Sequence, residues 1–409
     1  MKDWTEFGLR GLPPASARSR VTAIPPPLQP VMEAAHRALA QPLSGISTDG
    51  RLRAGLFPLR ATGVPTAPIV GAAQDFLGTL DPQQRTKVVL DIEAQERRMW
   101  FNIHPNVMRH GLMLADLAPR QREAALRLMQ ATLSARGFAQ ARDIMRLNHM
   151  LIEITGRADE YNEWFYFVTL FGTPSAEAPW GWQVDGHHLC LNFFVLGDQL
   201  VCTPSFMGSE PCSAAHGPLA GTAVFVPEEH AGLSLIRSLD AEQHSRAVLR
   251  PSIVPEALPP ELNHFIDGRM QAGAFRDNAV VPYAGVRADQ LSDAQRRLLL
   301  GLMRTYVGWA RDDHAAVKMS EVEAHLDETY FAWMGASDGE GPFYYRAQSP
   351  VVLIEFDHHP GIVFDNTVPS RHHIHTVIRT PNGGDYGADL LRQHHERYDH
   401  AGGHHVARR

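Results

Sequence analysis

The sequence predicts an α+β protein: two tandem helix-then-strand repeats packed about a pseudo-two-fold axis, with a proline-containing N-terminal arm. Three observations lead there. An amphipathic helix followed by an aromatic, β-branched stretch occurs twice. The matching stretches keep the same order, and the aromatic ones a constant offset of 163 residues, as from Gly172 to Gly335. A chain of 409 residues with 44% hydrophobic content is long enough to bury a large core.

The elements follow in chain order. Arg20 to Ser47 contains Pro25-Pro26-Pro27, which favours polyproline II geometry and cannot continue a helix. This segment reads as an extended arm that enters a short helix and wraps over the body. Leu80-Asp81-Pro82-Gln83-Gln84-Arg85 and Leu239-Asp240-Ala241-Glu242-Gln243-His244 each open a helix with an acidic N-cap candidate. Gly111 to Met129, apolar at Leu117, Ala124, Ala125, Leu128 and Met129, aligns without a gap on Gly285 to Met303. The second stretch is apolar at Leu291, Leu298, Leu299, Leu302 and Met303. Both read as amphipathic helices after a glycine loop.

Phe171-Gly172 through Trp180-Gly181-Trp182 to Leu191-Asn192-Phe193 then matches Met334-Gly335 through Phe343-Tyr344-Tyr345 to Ile354-Glu355-Phe356. Gly172 falls on Gly335 and Glu177 on Glu340. Each reads as a loop feeding one long strand. Arg379 to Gly387 is turn-rich, and Asp389 to Tyr398 reads as a closing helix. The expected units are an arm and short helix over 1–70, a first repeat over 71–235, and a second repeat with C-terminal helix and tail over 236–409.

Composition narrows the function. The net charge is −7, and Lys and Arg are scattered instead of forming a stripe that could neutralise phosphates, so nucleic acid is not an expected partner. No run of about 18 apolar residues occurs, and Met1-Lys2-Asp3-Trp4-Thr5-Glu6 does not lead into a secretory signal, so a cytoplasmic protein without a membrane partner is expected. Three cysteines, Cys190, Cys202 and Cys212, are too few and odd in number for a disulfide framework, which suits a reducing compartment. There is no Gly-x-Gly-x-x-Gly entering a helix, Walker-type loop, Gly-x-Ser-x-Gly elbow or His-Glu-x-x-His. Nucleotide and serine-hydrolase chemistry therefore have no support.

Histidine is the anomaly, with 22 in the chain. His404-His405 fall in a glycine-containing tail, but other pairs sit in patterned sequence. Read as a strand, Gly186 to Phe193 sends His187, Leu189, Leu191 and Phe193 one way and His188, Cys190 and Asn192 the other. His188 is then the better ligand candidate. The repeat places Glu355 on Asn192, in the strand Val351 to Asp357, with Asp357 on the same face and His358 and His359 in a following turn. A carboxylate inside an apolar strand needs a cation or a donor. Arg371 to Ile378 begins another strand, on which His373 and His375 share a face and can reach one ion.

The expected ligands are accordingly His188, His373, His375 and Glu355. Glu355 serves as fourth ligand or general base, Asp357 as a second carboxylate, and Arg379 as a clamp for a substrate carboxylate or a partner of Asp385. Trp180, Trp182 and Tyr345, with His187, Asn192 and His358, are the expected pocket residues. Aromatic core, and histidines hydrogen-bonded to carboxylates without an ion, are the competing readings. His314 and His325, near Glu321, read as surface or packing residues of a helix.

At Pro179-Trp180-Gly181-Trp182-Gln183 with Gly186-His187-His188-Leu189, the sequence resembles the domain-of-unknown-function family number 3500. The likeness recurs at Tyr330-Phe331-Ala332-Trp333, His373-Ile374-His375-Thr376 and Asp385-Tyr386-Gly387, and runs from about residue 75 to about residue 398. It departs at His395, where the family pattern has a tyrosine. The resemblance implies no reaction; it supports the site residues.

The expected function is a metal-dependent enzyme acting on a small organic molecule, through hydrolysis or a related addition of metal-activated water. The metal order is zinc, then iron, then copper. Two histidines and Glu355 as a facial triad would suit iron and an oxidation instead. A non-catalytic small-molecule-binding protein is the third reading, and a homo-oligomer is compatible with all three.

Overall fold

The computed structural model describes residues 8–11, 29–103, 110–264, 266–399 and 406–407. Pro25-Pro26-Pro27 and His404-His405 lie outside them, whereas the short helix expected after the arm is present as α1, Gln29–Leu39.

The protein is a mixed α+β fold with 10 α-helices among the described residues. After α1 come α2 (Ala67–Gly78) and α3 (Pro82–Val88), short strands β1 (Val89–Leu90) and β2 (Leu112–Met113), then α4 (Pro119–Thr132) and α5 (Ala135–Thr155). Strands β3 (Tyr166–Phe171), β4 (Trp180–Gly186), β5 (Leu189–Leu196), β6 (Gln199–Val201) and β7 (Ser205–Ser209) follow. Next are α6 (Val226–Ser238), α7 (Ala241–Ala247), β8 (Val248–Arg250), β9 (Val286–Arg287), α8 (Asp293–Val307) and α9 (Asp312–Ala324). The chain closes with β10 (Tyr330–Gly335), β11 (Phe343–Gln348), β12 (Leu353–His359), β13 (Ser370–Arg379) and α10 (Ala388–Arg397).

Local chemistry sets the helix ends. Asp81 accepts the Gln84 backbone N–H while the Gln84 side chain returns to Asp81, and Asp240 with Gln243 does the same for α7. Ser134 caps α5 through Gly137 N–H, and Gly156 stops that helix in the left-handed conformation, φ 72.

All of β1 to β13 join one sheet, ordered β1-β3-β4-β5-β7-β13-β12-β11-β10-β8, with β2 on β3, β6 on β5 and β9 on β10. The β1–β3 and β8–β10 pairs are parallel and the others antiparallel. The two aromatic stretches expected as single long strands are each a hairpin. His187 and His188 form the turn between Gly186 and Leu189, which pair with each other. Conversely, β12 runs on through His358 and His359, which are strand residues, not a turn.

Alternation divides the sheet into two unlike faces. Val184, Leu191, Met207, Ile354, Phe356, Ile374 and Ile378 point into the main apolar core with the faces of α4, α5 and α8. The opposite face carries Gln183, Asp185, Glu355, Asp357, His373, His375 and Arg379, all buried. It is roofed by irregular chain, in which Trp100, Phe101, Ile266, Met270, Val281 and Tyr386 pack against Cys190, Phe206, Leu353 and Val377. No helix among the described residues is long and apolar enough to cross a membrane.

Candidate metal centre

Three histidines meet on the roofed face. His188 Nε2 lies 3.2 Å from His373 Nε2, which lies 2.9 Å from His375 Nε2. Among the described residues, this trio offers ligand atoms all within 4.8 Å of one another, and all three side chains are buried.

The backbone explains why they meet. His375 sits opposite Gly208 on one side and Asp357 on the other. The next strand over contributes the β4–β5 turn, where Gly208 N–H donates to His188 O at 2.8 Å. Gly208 therefore separates His188 from His375 and has no side chain to fill the gap. A Cβ there would lie 3.0 Å from His375 Cδ2 and 3.1 Å from His188 Cδ2. The His188 backbone is further fixed by its N–H, which donates to Asn102 O at 3.0 Å. Its φ of 62 is unusual for a residue with a side chain, and such strain persists only where the surroundings enforce it.

The tautomer of His373 is set by geometry. Its Nδ1 lies 2.7 Å from the Pro360 carbonyl, which only accepts, so Nδ1 carries the proton and Nε2 keeps a lone pair. That single lone pair faces two other Nε2 atoms. Burial, and next the imidazoles beside them, holds His188 and His375 well below the usual histidine pKa, so both rings are neutral near pH 7. A tetrahedral ion bonded at about 2.0–2.1 Å would space its donors about 3.3 Å apart, near the 3.2 and 2.9 Å at which His373 Nε2 lies from the other two.

Two neighbours had no assigned role in the sequence reading. Glu210 is buried and accepts the backbone N–H groups of Ile362, Val363 and Phe364, at 2.9, 3.1 and 3.1 Å. It fixes the loop that carries Pro360 and approaches His373 Nδ1 to 3.6 Å. His359 packs its ring 4.4 Å from that of His375 and 4.9 Å from that of His373. Its ring nitrogens have no hydrogen-bond partner among the described residues.

The other expected site residues are held elsewhere. Glu355 takes N–H donors from Gln271 and Ala272 at 2.8 Å and the Tyr344 hydroxyl at 2.6 Å; it is not in the trio. Asp357 is gripped by Arg269 through Nε at 2.7 Å and Nη2 at 2.6 Å. Arg379, far from being free for a substrate, is fully buried between Asp385 and Asp277, each at 2.7 Å. Asn192 bonds Gln183 and the Pro204 carbonyl. His187 bonds Asn148 at 2.8 Å and stacks on His188 at 4.1 Å. His358 accepts the Phe343 N–H at 3.0 Å and faces Glu229 at 3.3 Å. Trp180, Trp182 and Tyr345 are core, with Trp182 stacked on Phe193 and Tyr345 on Phe356. The aromatic pocket is thus corrected to aromatic core: these residues point to the helix side of the sheet, away from the histidines.

A family described as "Protein of unknown function (DUF3500)" matches residues 62–388. The chain belongs to this family. No curated protein matches it, and no solved structure does. The matched span takes in His188, His373, His375, Gly208 and Glu210, so the whole centre of this DUF3500 protein lies inside its family region.

Asp185 couples this centre to the roof, accepting the Phe101 N–H at 3.2 Å next to the Asn102 carbonyl that holds His188. Burial pushes its carboxyl up to about 7. The folded pKa thus exceeds the unfolded value of about 3.9, and the associated stability is full at low pH and lost as pH rises through about 7. Asp185→Asn removes that titration, so urea denaturation should show the variant gaining on wild type between about pH 5 and about pH 8; a pH-independent difference would contradict the assignment. In metal-free protein, Gly208→Ala should cost about 1–3 kcal/mol, because the added methyl group would meet the Ile374 carbonyl at 2.8 Å as well as both packed imidazoles. A change under about 0.5 kcal/mol in the same denaturation assay would show the gap to be slack.

Proposed function

We propose that this DUF3500 protein is a metal-dependent enzyme in which His188, His373 and His375 hold one divalent transition-metal ion through Nε2. The observation that supports this is the convergence of three Nε2 atoms when the only lone pair assigned by geometry, that of His373, faces two of them. One lone pair cannot satisfy both neighbouring Nε2 atoms as donors and three facing lone pairs repel one another, whereas one cation accepts all three.

Three imidazole ligands would suit zinc, and such an ion would supply water acidified to near neutrality for hydrolysis or a related addition to a small organic substrate. Copper and iron also accept imidazole. An iron facial triad would need a carboxylate in the trio, and Glu355 is committed to two backbone N–H groups and Tyr344. Zinc therefore stays ahead of iron. The protein's own contribution is positional: Pro360 and Glu210 orient His373, Asn102 and Gly208 orient His188, and burial keeps the His188 and His375 imidazoles neutral.

The finer architecture belongs to the same reading. Units 71–235 and 236–409 are proposed as repeats about a pseudo-two-fold axis, after the arm of 1–70. In support, the capped helices α3 and α7 precede matching runs of elements, and the sheet order reads alike from both ends. Leu133 after α4 also bridges Ala310 after α8. The centre would then straddle the join, with His188 from one repeat and His373 and His375 from the other.

Elemental analysis of protein purified without a histidine tag should find about one equivalent of zinc. His373→Ala with His375→Ala should retain less than about a tenth of an equivalent and melt at a lower temperature. Wild-type protein holding no transition metal after zinc reconstitution would overturn the proposal.

A further inference from the structure

On the helix side of the sheet, across from the histidines, lies a cavity of about 90 Å³. Leu133, Leu191, Phe193, Val307, Trp309 and Ile378 make much of its wall. Most polar groups on that wall are already engaged. The Tyr306 hydroxyl bonds that of Tyr345, Ser205 Oγ donates to Cys202 O, and Thr203 Oγ1 donates to Thr380 Oγ1. Lys318 Nζ donates to Glu321 and to the Val351 carbonyl, and Trp309 Nε1 donates to Glu228.

His314, on α9, is the exception. It lines the cavity and is only 5% exposed, and its Nε2 is buried with no hydrogen-bond partner among the described residues. Nε2 is thus a buried polar atom left without a partner beside an apolar space. A buried polar atom without a partner is unfavourable, and a ligand's hydroxyl would relieve it.

We propose that this cavity binds a small alcohol, whose hydroxyl pairs with His314 Nε2 while its hydrocarbon portion packs on Leu191, Phe193 and Ile378. Size and chemistry select the class. A cavity of roughly 150 Å³ admits benzene, so this smaller one suits about four or five non-hydrogen atoms. A hydroxyl both donates and accepts, so it pairs with either tautomer of His314, whereas a halide offers no donor and a carboxylate would bring an unpaired charge into an apolar cavity. The site stands apart from the metal reading, since it lies on the other face of β5, β7 and β13 and uses none of the three histidines.

Saturation-transfer NMR on the full chain, treated with a chelator, tests this with butan-2-ol and 2-chlorobutane, which share a skeleton and differ in the donor. Butan-2-ol should bind in the millimolar range and 2-chlorobutane about tenfold more weakly. His314→Leu, which keeps the wall apolar, should erase that preference. Equal binding by wild-type protein, no binding of the alcohol, or a preference that survives His314→Leu would each overturn the proposal. The wild-type comparison decides the matter even where the variant fails to fold.

Discussion

Gly208 sets the terms for everything around the histidine centre. It lies in a lateral row between the β4–β5 turn and His375, and its missing side chain is what allows His188 and His375 to lean over the same spot. Any Cβ would sit at 3.0 to 3.1 Å from both rings, tight enough to displace them. Interiors are packed like crystals, so a gap of this size is filled by neighbouring side chains leaning in. Here the fillers are imidazoles, and their ring nitrogens are brought within hydrogen-bonding or ligand distance as a consequence of packing.

The carboxylates of the same face serve a different end. Asp357 with Arg269, and Arg379 between Asp277 and Asp385, are fully buried ion pairs, and Glu355 is saturated by backbone N–H groups and Tyr344. Such pairs are costly to desolvate and hold only when their remaining hydrogen bonds are met. They are met by the irregular roof: Arg379 also donates to the carbonyls of Ala272 and Gly273, and Asp277 takes the Tyr386 hydroxyl. The charges that sequence reasoning assigned to catalysis therefore pin a loop layer onto a sheet. That layer is what buries the histidines and lowers the pKa values of His188, His359 and His375.

Legibility in the sequence followed the range of the interactions. Local signals carried through: the Asp81 and Asp240 caps, the amphipathic helices α4 and α8, and the alternation that put His373 and His375 on one face of β13. His188 was selected by strand alternation, yet it occupies a turn, since Gly186 and Leu189 close the hairpin around it. His359 was missed because the strand was ended at Asp357; two residues more and the same period-2 rule would have placed it beside the centre. Gly208 and Glu210 left no readable mark. A glycine spacer acts across strands, and a carboxylate that binds backbone N–H groups some 150 residues away, at 362 to 364, has no local pattern.

Anomalous diffraction from zinc-loaded crystals bears most directly on the central claim. One strong peak enclosed by His188, His373 and His375 is expected, with each Nε2 about 2.0–2.1 Å from the ion. A peak bound elsewhere, or three rings left in direct contact with no ion between them at saturating zinc, would contradict it.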